Sequence, residues 1–233
     1  YVPLADLDRA PALAEEAIEM GAGALLIASA CPPGHSPSHI GLDPVWSMAA
    51  DAGVPVVFHV GGTGELLDRN YFNNGLPVPP DFHGGEENFR SVDYMAIPVQ
   101  PAQTLATMIF DGVFDRHPNL KGISMEHGAF WLPSWLKALD YTASLFKRKR
   151  EFKQLPSEVA KKHIKVSPFA GEPVGWIIEN VGPDMLVYAS DYPHPEGTSD
   201  PISKFEATMT DCDEKTMNAF YHGNMEDLMG IKL

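Results

Sequence analysis

At 233 residues, 44% hydrophobic and 21% charged, the chain is long enough for one domain with a large core and has the composition of an ordinary soluble globular protein. Its formal net charge of −14 argues against a nucleic-acid partner, because an acidic surface repels phosphate. No apolar run of about 18 residues is present, so no transmembrane helix and no membrane partner is expected.

The two cysteines, Cys31 and Cys212, lie far apart and outside any CxxC arrangement, which argues against a disulfide framework and reads as intracellular, cytoplasmic. The single basic cluster, Lys147, Arg148, Lys149 and Arg150, reads as a solvated helix end.

In chain order, the opening Tyr-Val-Pro-Leu looks like the tail of a strand. A helix follows from near Asp8, with apolar residues at helical spacing as far as Gly21 and Gly23. The apolar run 24–29 has the pattern of a strand buried on both faces, and the Pro-Pro-Gly segment after Cys31 is a loop. A helix is predicted over 43–52, with Asp43 as its cap and Pro44 in its first turn, then a second buried strand over 54–60. The stretch 61–100 is long, irregular and rich in Gly, Pro and aromatic residues, and reads as a packed active-site lid. Beyond it come a helix (101–114), a strand (120–126), a long helix (132–152), a short helix (156–162), a strand (163–168), a helix (174–180), a strand (185–190) and helical stretches at 202–209 and 213–229. Strands alternating with helices imply βαβ units, a parallel sheet and a single domain over 1–233. A doubly wound phosphate-binding fold would carry a glycine-rich strand-to-helix turn, and none is present.

Three of these strands end in a residue type that binds metals: His59 after VVF, His127 after GISME, and Asp191 after LVYAS. The carboxyl edge of a parallel sheet is where active sites assemble. A catalytic metal needs a few fixed nitrogen or oxygen ligands and an open position, and imidazole with carboxylate suits zinc, manganese or iron. Glu126, one step before His127, should point to the opposite face of its strand and serve structure. His194, three residues after Asp191, and His35 and His39, after the first apolar strand, are weaker candidates for substrate contact. Trp131 and Trp176 are expected in the core, and His83, His117, His163 and His222 in structural roles.

The segments FHVGG (58–62), FDRHPNLKGISMEHG (114–128), ASDYPHPEG (189–197) and YHGNMEDLMGI (221–231) make the resemblance specific. The chain resembles the amidohydrolase superfamily, and within it the amidohydrolase-related family that includes aminocarboxymuconate-semialdehyde decarboxylase. That resemblance implies an incomplete (β/α)8 TIM barrel carrying about strands 3 to 8, with the first-strand metal ligands outside the chain. It implies His59 on the fifth strand and Asp191 on the eighth as ligands to one divalent metal, zinc first, with manganese or iron as alternatives. His127 on the sixth strand and Asp191 would move protons. No lysine ends the fourth strand, which favours a single metal over a bridged pair. The implied activity is non-oxidative decarboxylation of a small organic or aromatic acid, with hydrolysis of an ester, lactone or amide as the alternative. The implied partners are a small-molecule substrate and a second copy in a homodimer. A non-catalytic barrel fragment is the reading from another class, motivated by the absent first strand.

Overall fold

The computed structural model describes residues 1–62, 66–77, 91–146, 152–194 and 197–231. Four parallel strands lie side by side in chain order: β1 (Leu25–Ala28), β2 (Val56–His59), β3 (Gly122–Met125) and β4 (Ile164–Val166). In register, Ala28 pairs with His59 and His59 with Met125, so the first three strands end level with one another, and β4 ends one residue short of them. The sheet is extended at both sides by less regular backbone. Val2 N–H donates to the Leu26 carbonyl on one side. On the other, Val166 pairs with Leu186 in a parallel bridge, so the strand expected over 185–190 is a single bridge continued by extended chain.

The helices are α1 (Arg9–Glu19), α2 (Asp43–Ala52), α3 (Ser91–Ala96), α4 (Val99–Phe110), α5 (Val113–Arg116), α6 (Leu132–Leu145), α7 (Pro156–His163), α8 (Val174–Val181), α9 (Pro201–Glu206), α10 (Glu214–Asn218) and α11 (Asn224–Met229). The expected 101–114 helix is two, α4 and α5, because Gly112 between them is left-handed at φ 76°. The 213–229 helix is interrupted by a π turn at Ala219–Gly223. Asp43 opens α2 without capping it. Its carboxylate instead accepts from Arg116 Nε at 2.8 Å and Nη2 at 2.9 Å, tying α2 to α5. The basic run 147–150 and part of the expected lid, 63–65 and 78–90, lie outside the described residues, as does His83. No helix among the described residues is long and apolar enough to cross a membrane.

The two faces of the sheet are not equally buried. Leu25, Ile27, Val56 and Phe58 are fully buried on the helix-covered face, within the main core that also holds Trp46, Leu105, Leu132 and Ile177. Their neighbours Leu26, Ala28, Val57 and His59 face the other way and are half-buried. A smaller apolar cluster of Ile123, Val187 and Leu228 sits against Val57 and Met125. The apolar strand runs therefore reflect one helix-packed face and one inward face, not two equally covered ones. Gly122 makes the close packing possible, since a Cβ there would stand 2.8 Å from the Phe58 ring.

Trp176 departs from the core expectation. It is 47% exposed and stacks at 5.6 Å on Phe130, itself 58% exposed. Trp131 is half-buried and donates its indole N–H to the Gly128 carbonyl at 2.8 Å. His163 is structural as expected: it is buried against Phe114, and its Nδ1–H donates to the Leu120 carbonyl at 2.6 Å. Burial holds its pKa below the ordinary histidine value.

Candidate active site

The sheet delivers its chemistry to one edge because every strand runs the same way. His59 is the last residue of β2 and shares the inward face with Val57. Its Nδ1–H donates to the Val60 carbonyl at 2.9 Å. That bond places the lone pair of the neutral ring on Nε2, the atom turned into the site. Nε2 lies 3.1 Å from Glu126 Oε1. The Glu126 carboxylate raises the His59 pKa above the ordinary value, burial opposes it, and Asp191 adds a smaller push in the same direction as Glu126. Glu126 responds oppositely: contact with His59 lowers its pKa, with His194 and His127 contributing less.

Glu126 thus stands inside the site, contrary to the expectation from strand alternation. The strand ends at Met125, and Glu126 takes a left-handed backbone at φ 61°. The pleat that would have turned its side chain away stops one residue earlier. Asp191 is also left-handed, at φ 53°. For a residue with a Cβ this conformation costs on the order of 1 kcal/mol, and it concentrates where a side chain must be aimed. The next turn is held by Glu172. Its carboxylate accepts backbone N–H groups from Ala129 at 2.8 Å, Phe130 at 3.1 Å and Phe169 at 3.0 Å. Gly128 (φ 63°) lets this carboxylate approach, since a Cβ would meet its Oε1 at 2.7 Å and the Phe169 ring at 2.9 Å.

His127 turns into the protein. It is 2% exposed, with Nδ1 2.8 Å from Ser124 Oγ and Nε2 2.9 Å from Ser29 Oγ. Ser29 and Ser124 are themselves fully buried, and Thr104 Oγ1 donates to the Ser29 carbonyl at 2.7 Å. Burial, aided by the charge of His59, pushes the His127 pKa down to about 3. The ring is therefore neutral at ordinary pH, and one serine hydroxyl donates to it while the other accepts. Neither serine was identified from sequence, because nothing in an apolar strand marks which serine meets a histidine 98 residues away.

The remaining candidates divide. His194 belongs to the cluster: its Nδ1 is 4.0 Å from Asp191 Oδ2, and its charge is felt at Glu126. His35 and His39 lie together on the loop after β1, with rings 5.4 Å apart. Their hydrogen bonds are local. His35 Nδ1–H donates to the Ser36 carbonyl at 3.0 Å, and His39 Nδ1 accepts from Gly41 N–H at 3.0 Å, closing the turn into α2.

His59, Glu126 and Asp191 supply the nitrogen and carboxylate donors a divalent cation takes. The tautomer set by Val60 leaves His59 Nε2 free to ligate. These residues fit as part of a metal site. Among the described residues no three His, Cys, Asp or Glu stand close enough together to hold an ion alone.

The family profile of the amidohydrolases matches residues 1–231. The chain belongs to the amidohydrolase family. Its fold agrees. An amidohydrolase from Mycobacterium avium subsp. paratuberculosis K-10 superposes with a TM-score of 0.82 at 29% identity, over 98% of this chain and 57% of that one. A 5-carboxyvanillate decarboxylase from Sphingomonas paucimobilis gives 0.72 at 22% identity, covering 97% and 64%. A dihydroxybenzoic acid decarboxylase from Polaromonas sp. JS666, solved with manganese and the inhibitor 2-nitroresorcinol, gives 0.72 at 18% identity, covering 99% and 68%. The chain spans less than two thirds of the length of the first two. No curated protein matches it. The parallel sheet is a sector of the (β/α)8 barrel of these amidohydrolases, ordered as adjacent barrel strands are.

Proposed function

We propose that this amidohydrolase is a divalent-metal-dependent decarboxylase of a small aromatic or unsaturated carboxylic acid. The observation that carries the reading is the carboxyl edge of the sheet, where His59 presents Nε2 to the Glu126 carboxylate at 3.1 Å and the Asp191 charge is felt at His59. The decarboxylases among the structural neighbours support the reaction class, and the manganese of one of them supports the type of ion, with zinc and iron compatible with the same donors. His59 and Asp191 would hold the cation, which would draw charge from the substrate oxygens as carbon dioxide leaves.

The remaining chemistry falls to the chain's own residues. Cleavage of the carbon–carbon bond leaves its electron pair on the ring or alkene carbon, which must then take a proton. Asp191, whose carboxylate is 4.0 Å from His194 Nδ1, would deliver it and recover one from solvent through that half-exposed imidazole. His127, neutral and bonded at both nitrogens, orients the end of β3 by tying it to Ser29 beyond β1. It does not carry the charge of an acid at neutral pH.

The test is carbon dioxide release by the full-length protein across a panel of hydroxybenzoates and unsaturated acids, with metal content measured in parallel. Turnover is expected with at least one acid and is abolished in Asp191→Asn. Asparagine tolerates the left-handed backbone there, so this variant should fold. Turnover of an ester, lactone or amide without carbon dioxide release would replace the lyase with a hydrolase. Unimpaired decarboxylation in the variant would remove Asp191 from the reaction.

A further inference from the structure

Glu126, the first residue past the end of β3, turns into the site. His59 Nδ1–H is committed to the Val60 carbonyl, so Nε2 is the ring atom turned to the Glu126 carboxylate oxygen 3.1 Å away. A proton joins the two in the metal-free protein, and a divalent cation is the other charge that an imidazole nitrogen and a carboxylate oxygen can share. Donors about 2.1 Å from a common ion stand about 3.0 Å apart at a right angle and about 3.4 Å apart at the tetrahedral angle. The observed separation falls between those limits. The backbone supports the aim. A regular strand would send Glu126 to the side of Ser124, into a region packed by helices, and the left-handed turn at φ 61° brings it back to His59. Glu172 locks the following turn through the amides of Ala129 and Phe130, so the reversal is built into the loop.

We propose that Glu126 is a direct ligand, with His59, to the divalent cation of this site. The proposal rests on the reading that the site holds a metal. It assigns a ligand role at the end of the sixth barrel strand to Glu126, a residue expected from the sequence to serve structure.

The test uses the full-length protein with manganese and with cobalt as a spectroscopic probe. Glu126→Gln is expected to weaken manganese binding at least about tenfold and to shift the cobalt visible bands, because a carboxylate leaves the coordination sphere. Glu126→Asp, one methylene shorter, should fall between it and wild type. Glu179→Gln, an exposed carboxylate on α8, should match wild type. If Glu126→Gln does not fold, Glu126→Asn carries the same comparison, since asparagine accepts the left-handed backbone. Wild-type affinity with unshifted bands in the variant would overturn the proposal. So would weakened affinity with unshifted bands, which would make Glu126 a support for another ligand. A wild-type protein that binds neither ion would overturn the metal reading itself, and the proposal with it. A wild-type protein that binds the ions, loses affinity in Glu126→Gln with shifted bands, and releases no carbon dioxide would support the ligand assignment and remove only the decarboxylase reading.

Discussion

The neutral, buried His127 makes folding stability depend on pH in a defined window. In the unfolded chain its imidazole takes a proton near its ordinary value of 6.5, whereas in the fold it does so only at about 3. Between those values the unfolded state binds more protons, so stability rises with pH and is lost as pH falls below 6.5. With 1.36 kcal/mol for each tenfold change in proton activity, this one residue should lower the unfolding free energy by about 2 kcal/mol between pH 7 and pH 5. The assay is urea denaturation of wild type and His127→Gln at both pH values. Glutamine retains hydrogen bonding to the serines but does not titrate. Other groups titrate in both proteins, among them His163, whose pKa burial also lowers. The quantity of interest is therefore the difference between the two pH dependences. It should be about 2 kcal/mol, with wild type the more acid-sensitive. Parallel pH dependences, or an NMR titration of the His127 ring near pH 6.5, would refute the argument that Ser29, Ser124 and burial keep it neutral.

The other expectations are more local. Glu172→Ala strips three backbone N–H groups of their acceptor and should cost on the order of 3 kcal/mol in thermal or chemical unfolding. Gly122→Ala should cost about 1–3 kcal/mol, since its Cβ would press on the Phe58 ring at 2.8 Å and the Val56 carbonyl oxygen at 3.1 Å in neighbouring β2. His59→Ala should lower bound metal in elemental analysis of the full-length protein; full occupancy would show that His59 is not an essential ligand. Above its ordinary pKa, His59 should stay protonated in the metal-free protein, because Glu126 raises its value. The stabilising His59–Glu126 contact is then present at low pH and fades as pH rises through the raised value, a change visible in the ring's NMR shifts.

Much of this molecule can be read from the residues alone. Apolar runs of strand length alternate with helical periodicities, because each element must hide a face and its spacing records which one. Hence the parallel order of β1 to β4 and the placement of His59 and Asp191 at the carboxyl edge follow from pattern. The single bridge at Leu186 and the break at Gly112 show the limit of that pattern, since the length of a strand depends on its neighbours. Tertiary structure alone decided the inward turn of Glu126, which depends on the sign of one backbone angle held by Glu172 from another loop. It also decided the charge of His127, which depends on Ser29 meeting it from a distant part of the chain. Periodicity reports which face a residue takes within an element. It carries no record of what happens one step past the element's end, where packing between loops sets direction and burial sets protonation.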